Sequence, residues 1–309
     1  VMVVGSSAKF RPEQAVEPLL KWANYPKPLA VYVAPDAPEA LNLLHQNNIA
    51  CFRTPESCAE SVKTFLNTKN PVKPIILKND LSDISKKLKK NICKNLSEEE
   101  ALEIFKDIGI EIVDYKLSSN EKQVIEYSSQ IGFPLAMKVL SSEIMHKTET
   151  GGVELNIKNL EEVKISFKKL SDVFQKLKIN SSEKKFIIQK MEKGIAEIIL
   201  GYRVDELVGP IVVIGSGGIL SEIYNDKSIR MAPVDITEAK KMIKEVKSLV
   251  TITGYRGLPE VDINIIATAI VNISKFALVK EIKEAEINPV IVKKNNEGIV
   301  AVDGLITLK

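Results

Sequence analysis

The sequence predicts an α/β segment at the N-terminus followed by a larger α+β domain. Apolar strands alternate with amphipathic helices over residues 1–66, which is typical of a parallel sheet covered on both faces. From residue 96 onward helices and strands are mixed without regular alternation, and this favours an α+β arrangement. The stretch between them, residues 70–95, holds two prolines and many lysines and asparagines, and we predict that it is a linker.

The first segment contains fewer strands than a parallel sheet of this kind usually has. Its predicted strands are residues 1–4, 29–34 and 50–52, and its predicted helices are residues 12–23, 38–48 and 57–66. Doubly wound sheets commonly have about five or six strands, and this chain begins with Val in the middle of a strand. We therefore expect the chain to be part of a longer polypeptide.

The second domain opens with a clear helix start. Ser97 and Glu100 have the spacing of a capping box, and Gly109 is placed to end the helix. Further strands are predicted at residues 110–115, 134–140, 186–191, 197–204, 211–215, 229–232, 285–292 and 299–306, with helices at residues 121–130, 238–246 and 261–279.

Composition indicates the class of protein and its surroundings. The 309 residues are 45% hydrophobic and 27% charged, with a net charge of +3, which is typical of a globular protein of two domains. So small a charge predicts no nucleic-acid partner, and no apolar run is long enough to cross a membrane. The three cysteines have neither the number nor the spacing of a disulfide framework, which favours the cytoplasm.

Several common active sites are excluded because their motifs are missing. There is no Gly-x4-Gly-Lys-Ser/Thr phosphate loop, no serine nucleophile elbow and no dinucleotide-binding fingerprint. The two histidines are too few for a multi-histidine metal site.

Lys138 stands inside an otherwise apolar run, residues 133–138. A buried ammonium is costly unless it has an anionic partner, and a phosphate would supply one. The alternative is a lysine on an edge strand whose ammonium reaches water.

His146 and Lys147 precede the glycine pair Gly151 and Gly152. Paired glycines let backbone N–H groups turn towards an anion, and imidazole is a competent nucleophile towards phosphorus. An exposed histidine without a role is equally compatible with this pattern.

A second glycine-rich stretch, residues 215–218 (Gly-Ser-Gly-Gly), is followed by Glu222 and Arg230. Glycine N–H groups can bind phosphates, and an arginine can neutralise the charge that develops during phosphoryl transfer. A tight turn between strands, with Arg230 on a solvated face, is the simpler alternative.

Glu286 and Asn288 are two residues apart in a predicted strand, so their side chains share one face. Asp303, on the following strand, could join them. Two carboxylates and one amide oxygen form a set suited to Mg²⁺. Polar residues that merely flank a turn would give the same sequence.

In their order and spacing these stretches resemble the ATP-grasp domain of the ADP-forming acyl-CoA synthetases, relatives of succinyl-CoA synthetase. The resemblance covers about residues 96–308, and the most diagnostic parts are residues 146–148 (His-Lys-Thr) and 286–289 (Glu-Ile-Asn-Pro). Residues 1–66 are similar to the end of the CoA-ligase domain that precedes this region in fused members of the family.

The resemblance implies a domain organisation. Residues 1–69 would be the C-terminal part of a flavodoxin-like CoA-ligase domain, truncated in this chain, and residues 70–95 the linker. Residues 96–309 would be the ATP-grasp domain, with ATP bound between subdomains of about residues 96–184 and 185–309.

The resemblance also implies roles for individual residues. His146 would relay phosphate, and Arg230 would take part in catalysis. The phosphates, the adenine and the ribose of ATP or ADP would be bound by Lys138, Gln189, Lys190, Met191, Glu197, Gly215, Gly217 and Gly218. Mg²⁺ would be held by Glu286, Asn288 and Asp303.

The reaction implied by the resemblance is acid + CoA + ATP to acyl-CoA + ADP + phosphate, through a phosphohistidine. We expect CoA to be bound by domains absent from this chain, so that upstream CoA-binding and CoA-ligase domains, or a separate subunit, complete the reaction with a small-molecule acid. Formation of a homo-oligomer is left open.

One alternative function belongs to a different class of protein. Some protein lysine acetyltransferases carry an acyl-CoA-synthetase-like region that is regulatory and non-catalytic. The intact set of Glu286, Asn288 and Asp303 favours the enzyme over this alternative.

Overall fold

The structure is a computed structural model that describes residues 1–23, 26–68, 81–89, 95–140, 150–176, 184–218, 225–254, 256, 261–294 and 297–309. The chain divides into two compact units, Val1–Pro74 and Ile75–Lys309, here called unit 1 and unit 2. Among the residues that the structure describes, no helix is both long and apolar enough to span a bilayer.

Unit 1 is built on a three-stranded parallel sheet, as the alternation of strands and helices predicts. The strands, in the order β1-β2-β3, are β1 (Met2–Val4), β2 (Ala30–Val33) and β3 (Ala50–Phe52). The helices are α1 (Ser7–Phe10), α2 (Pro12–Leu20), α3 (Pro38–Gln46) and α4 (Pro55–Asn67). Helices α2, α3 and α4 begin with Pro, whose missing N–H has no intrahelical partner at that position anyway. Val31 and Val33 of the central strand are fully buried beneath these helices.

Part of the predicted linker is helical. Helix α5 (Ser82–Lys89) carries Ile84 and Leu88 one turn apart, and both are buried against the main core of unit 2. Ser85 Oγ donates a hydrogen bond of 2.9 Å to Glu281 Oε2 of the same unit. The helix is hard to find in the sequence because few apolar residues stand among exposed lysines.

The first half of unit 2 contains a four-stranded antiparallel sheet in the order β4-β7-β5-β6. Its strands are β4 (Tyr115–Ser118), β5 (Leu135–Leu140), β6 (Val153–Ile157) and β7 (Lys185–Lys190), and its helices are α7 (Glu121–Ile131) and α8 (Leu160–Lys176). The predicted strand at residues 110–115 is wrong, because the strand begins only at Tyr115 and Ile112 makes an isolated bridge to Ala301. Strand β6 and helix α8 were not predicted, although α8 buries Val163, Leu170 and Phe174 at helical spacing.

The second antiparallel sheet of unit 2 has the order β10-β9-β8-β11-β12, with β13 also paired to β11. Its strands are β8 (Ala196–Asp205), β9 (Gly209–Ser216), β10 (Lys227–Met231), β11 (Ile282–Val292), β12 (Ile299–Ala301) and β13 (Gly304–Leu308). The other α-helices in the described part of unit 2 are α6 (Glu98–Asp107), α9 (Ile236–Glu245) and α10 (Ile263–Ser274), and 3₁₀-helices cover Lys247–Ile252 and Lys275–Leu278. Leu200, Ile270 and Phe276 are fully buried in the core that these elements share.

The predicted strand at residues 299–306 is broken in the middle. Val302 and Asp303 lie between β12 and β13, outside both strands. Strand β11 is irregular opposite this break, because Pro289 has no N–H to donate to the ladder. Asn288 N donates to Asp303 O at 3.2 Å, and Val302 N donates to Pro289 O at 3.1 Å. Two irregular backbone segments therefore face each other, and polar side chains gather there.

Candidate functional site

Lys138 lies in the interior of the four-stranded sheet of unit 2. Strand β5 is flanked by β6 and β7, and the Lys138 side chain is only 4% exposed, so the edge-strand alternative is wrong. Its Nζ donates to Glu98 Oε1 at 2.8 Å, to Val302 O at 3.3 Å and to Asp303 Oδ2 at 3.0 Å. Two carboxylates of the chain itself are therefore the anionic partners of this buried ammonium.

Glu98 is a residue of this cluster that sequence reasoning missed. It is the first residue of α6, and its side chain is fully buried. In the sequence it is one of three successive glutamates, which are common in the first turn of a helix. The sequence does indicate that some acidic residue must contact Lys138, because Lys138 stands in an apolar strand and a lysine buried there needs an anionic partner. Sequence alone does not say which of the 40 acidic residues supplies it.

The charges of this cluster keep Lys138 protonated. Burial by itself lowers the pKa of the Lys138 ammonium, because the charged form loses its hydration. The nearby Glu98 and Asp303 carboxylates outweigh that effect and hold the pKa of Lys138 above its ordinary value. Charged hydrogen bonds in this cluster therefore connect α6, β5 and the break between β12 and β13.

Gln189 of strand β7 completes the cluster. The side chain is fully buried, and its Nε2 donates to Glu98 Oε1 at 3.3 Å and to Val302 O at 3.2 Å. Lys138 and Gln189 therefore share the same two acceptors. The Gln189 Oε1 is buried and has no hydrogen-bond partner among the residues that the structure describes.

The chain after Gln189 is held beside the start of β5. Lys190 N donates to Asp114 O at 3.1 Å, and Met191 N donates to Pro134 O at 3.2 Å. These bonds place the predicted adenine-binding residues, Lys190 and Met191, at the end of β7. There the chain leaves the four-stranded sheet β4-β7-β5-β6, called the small sheet of unit 2 from here on, for β8.

The three predicted metal ligands lie together at the facing strand breaks. Asn288 Nδ2 donates to Glu286 Oε1 at 3.1 Å. The backbone N–H of Asn288 donates a hydrogen bond of 3.2 Å to Asp303 O. Asp303 also accepts from Gly304 N at 2.8 Å, which fixes its carboxylate. No group of three or more His, Cys, Asp or Glu side chains among the described residues is arranged to hold a metal by itself. Two carboxylates and one amide oxygen nevertheless fit Mg²⁺, which usually takes its remaining ligands from phosphates and water.

The glycine-rich stretch lies against Glu197. Gly215 is within β9, whereas Gly217 N, just after that strand, donates to Glu197 O at 2.7 Å. A Cβ at Gly217 would lie 2.9 Å from Glu197 Cβ, and Gly218 has a φ of +85°, so both positions require glycine. Glu222 lies outside the described residues.

The sequence profile of the ATP-grasp domain matches residues 86–308. The chain belongs to the ATP-grasp family.

Within the ATP-grasp family, the chain is similar to acetate–CoA ligases that form ADP. It is 37% identical over 214 residues to the beta subunit of acetate–CoA ligase I of Pyrococcus furiosus, and the match covers 69% of this chain and 91% of that subunit. It is 30% identical over 291 residues to acetate–CoA ligase I of Archaeoglobus fulgidus, where the match covers 84% of this chain but only 42% of that longer enzyme.

Solved structures show the same relationship. The dinucleotide-forming acetyl-coenzyme A synthetase 1 of Ca. Korarchaeum cryptofilum, in complex with coenzyme A and Ca-AMPCP, has a TM-score of 0.67 and 33% identity, and covers 74% of this chain and 100% of that chain. Another structure of that enzyme holds Mg-AMPPCP and has its phosphohistidine segment pointing towards the nucleotide-binding site. Its TM-score is 0.61 at 32% identity, covering 74% of this chain and 99% of that one. The present chain is therefore the ATP-binding part of an ADP-forming acyl-CoA synthetase.

These relatives support the ligase interpretation and give no support to the acetyltransferase alternative. The ATP-grasp match coincides with the part of the chain that contains Lys138, Gln189 and the three predicted metal ligands. The individual roles of these residues stay predictions.

Arg230 of unit 2 forms hydrogen bonds to two glutamates of helix α9. Its Nε donates to Glu238 Oε1 at 2.7 Å, and its NH2 donates to Glu245 Oε1 at 2.5 Å. Strand β10 is three strands away from β11 in the sheet, which corresponds to about 14 Å at the usual strand spacing. The structure thus does not bring Arg230 to the Lys138 cluster, and its catalytic role stays a prediction.

We expect Arg230→Met to lower the free energy of unfolding by about 1 kcal/mol at pH 7, through the loss of two ion pairs. The hydrogen bond from Arg230 lowers the pKa of Glu245 below its usual 4.5. Hydrogen bonds from Lys241 first, and then from Arg230, do the same for Glu238. Carboxylates with lowered folded-state pKa values stabilise the fold above their unfolded pKa, and lose that contribution as the pH falls through the folded value.

Urea unfolding of both chains, at pH 7 and at about pH 3, measures this effect. The difference between wild type and Arg230→Met should shrink at the lower pH. Arg203→Met is the matched control, because Arg203 forms a more exposed pair with Asp205 and its loss should cost less. Equal stability of wild type and Arg230→Met at pH 7 would contradict the structural role.

His146 and Lys147 lie outside the described residues. The ends of their segment are described, and both lie on neighbouring strands of the small sheet. Val139 N donates to Gly152 O at 2.9 Å, and Lys138 is paired with Val153. The chain therefore leaves β5 just after Lys138 and returns to β6 directly beside it.

Proposed function

We propose that unit 2 binds ATP or ADP with Mg²⁺ where the small sheet meets the break between β12 and β13. The observation that carries the proposal is that Lys138, Gln189 and Asp303 are joined in one hydrogen-bonded cluster, although they are far apart in the sequence. Glu286 and Asn288 adjoin the same break. This site places an ammonium group next to hard oxygen ligands. Such a combination suits the phosphates of a nucleoside triphosphate and their metal ion.

The predicted nucleotide-binding and metal-binding residues each have a role in this proposal. Lys138 contacts the phosphates, residues 189–191 line the adenine, and Glu197 with Gly215, Gly217 and Gly218 lies along the ribose and phosphates. Glu286, Asn288 and Asp303 hold Mg²⁺, which when bound neutralises negative charge on the phosphates. Their oxygens supply at most part of an octahedral shell, so the nucleotide must provide the rest.

His146 is proposed to accept the phosphoryl group. An imidazole nitrogen forms a bond to the γ-phosphorus while the P–O bond to ADP breaks, and ADP leaves with the bonding electrons. The position of the segment ends beside Lys138 supports this role. So does the Korarchaeum relative, whose phosphohistidine segment points towards its nucleotide-binding site.

The complete reaction is proposed to need further domains or a separate subunit. The Pyrococcus relative is a beta subunit, and the Archaeoglobus ligase is more than twice as long as the part matched here. We infer that these parts bind CoA and the acid, and that the whole enzyme converts acid, CoA and ATP to acyl-CoA, ADP and phosphate. A cytoplasmic location and a homo-oligomer also remain proposals.

Unit 1 is proposed to be the C-terminal part of a flavodoxin-like CoA-ligase domain, residues 1–69. Its parallel three-stranded sheet supports this assignment. The Archaeoglobus match supports it too, because it extends over more of the chain than unit 2 alone contains. The boundaries of the linker at residues 70–95, and of the subdomains at residues 96–184 and 185–309, belong to the same proposal.

We expect Mg²⁺-ATP to raise the melting temperature of the 309-residue chain. A ligand at a hundredfold excess over its dissociation constant stabilises the folded state by about 2.7 kcal/mol. For a domain of this size that corresponds to about 5–10 °C. Differential scanning fluorimetry with ATP, with Mg²⁺-ATP and with Mg²⁺ alone measures the shift.

The control variant is Glu286→Gln, which removes one proposed metal ligand but no contact of Lys138. It should keep the melting temperature of the free protein and lose most of the extra shift that Mg²⁺ adds to ATP. A wild-type chain that shows no shift at millimolar Mg²⁺-ATP would contradict the proposed function. A Glu286→Gln chain that shifts like the wild type would contradict only the metal site.

A further inference from the structure

All donors of the Lys138 ammonium are occupied in the structure. An ammonium group has three N–H donors, and Lys138 Nζ has one acceptor for each of them: Glu98 Oε1, Val302 O and Asp303 Oδ2. A phosphate oxygen can be bound only if one of these hydrogen bonds is given up.

We infer that nucleotide binding opens the ion pair between Lys138 and Asp303. A phosphate oxygen takes the released Lys138 donor, and Asp303 becomes available to Mg²⁺. This inference rests on the proposed function and adds a rearrangement and a positioning residue, Glu98, to it. The exchange keeps the charges paired, because each carboxylate and the ammonium still face an opposite charge afterwards.

The Glu98 and Asp303 carboxylates differ in exposure to solvent, and this difference decides which of them releases Lys138. The Asp303 side chain is 34% exposed and lies next to the other proposed metal ligands, whereas the Glu98 side chain is fully buried. Parting Lys138 from Glu98 would separate two charges that are both almost fully buried, which is costly. Parting it from Asp303 leaves a carboxylate that water or a metal ion can reach.

Glu98 is thus the residue that keeps Lys138 in place during the exchange. The same oxygen, Glu98 Oε1, also accepts from Gln189 Nε2. Val302 O accepts from both donors too, so Lys138 and Gln189 are held between one pair of acceptors. The proposed phosphate contact and the proposed adenine side of the site are therefore positioned by one buried carboxylate.

The test is the affinity for ATP without metal, measured by isothermal titration calorimetry in excess EDTA. Asp303→Asn replaces the ion pair by a weaker hydrogen bond to a neutral amide oxygen, so that a phosphate displaces it from Lys138 more easily. Glu286→Gln removes an equal charge from the same site but leaves the Lys138 donors occupied. We expect Asp303→Asn to bind ATP about tenfold more tightly than Glu286→Gln does, since a hydrogen bond between charged groups is worth at least that much.

A second pair of chains shows whether the gain depends on Lys138. In the Glu98→Gln/Lys138→Met background, which has lost both buried charges, Asp303→Asn should bind ATP no more tightly than Glu286→Gln does. Equal affinities of Asp303→Asn and Glu286→Gln in the otherwise wild-type chain, or an advantage of Asp303→Asn over Glu286→Gln that persists without Lys138, would overturn the exchange. Failure of the wild-type chain to bind Mg²⁺-ATP would instead overturn the proposed function, so the two failures are distinct.

Discussion

Replacing Lys138 by methionine is expected to lower the free energy of unfolding by about 3–5 kcal/mol, because it removes one partner of a buried ion pair. Lys138 and Glu98 are joined at 2.8 Å, and both side chains are almost fully buried. Adding Glu98→Gln to that variant should recover most of the loss. A neutral buried pair of similar shape is often as stable as the ion pair that it replaces, and the introduced amide would retain an oxygen to accept from Gln189 Nε2.

Chemical unfolding of the wild type, Lys138→Met, Glu98→Gln and the double variant forms a thermodynamic cycle. The cycle isolates the interaction between Lys138 and Glu98. Lys169→Met is the matched control, because Lys169 also pairs with a glutamate, Glu154, at 3.3 Å but is 60% exposed. That control should change stability by no more than about 1 kcal/mol. If Lys138→Met were as mild as Lys169→Met, or if the double variant were no more stable than Lys138→Met, the buried pair would not have the energetic role that its geometry indicates.

The sequence predicts the fold well where hydrophobic patterns are local. The parallel sheet of unit 1 follows from alternating apolar strands and helices, and the start of α6 follows from the capping box of Ser97 and Glu100, both of whose hydrogen bonds are present. The break at Val302 and Asp303 is different. Most of its flanking residues are apolar and predict one continuous strand, whereas Gly304 and the irregular partner strand at Pro289 mark the interruption.

The part of the candidate site that could be predicted is the part whose residues are close together in the sequence. The arrangement of Glu286 and Asn288 is local, since residues two apart on a strand share a face, and the structure places them in contact. The partner of Lys138 is not local: Glu98 is 40 residues away and on another element. Sequence could indicate that Lys138 needs an anion, but choosing Glu98 required the three-dimensional arrangement.

His146→Ala is expected to abolish phosphorylation of the chain by γ-labelled Mg²⁺-ATP while leaving the thermal shift with Mg²⁺-ATP nearly unchanged. The segment that holds His146 begins after Leu140 and ends before Val153, on two strands that are paired beside Lys138. His146 lies six positions after Leu140 in the sequence, and six residues of extended chain span up to about 20 Å. That reach is enough for the imidazole to approach a phosphate bound at Lys138. The label should be acid-labile and base-stable, as expected for phosphate on an imidazole nitrogen.

His45→Ala is the matched control, because the chain has only two histidines and His45 lies in helix α3 of unit 1. It should retain the full label, since the proposed nucleotide site is built from residues of unit 2. Labelling of His146→Ala at the wild-type level would show that another residue accepts the phosphate, or that the label is not on histidine. A wild-type chain that binds Mg²⁺-ATP yet takes up no label would also contradict the role of His146. Loss of label in His146→Ala alone would assign the phosphoryl acceptor, because nucleotide binding, measured in parallel by the thermal shift, would be intact.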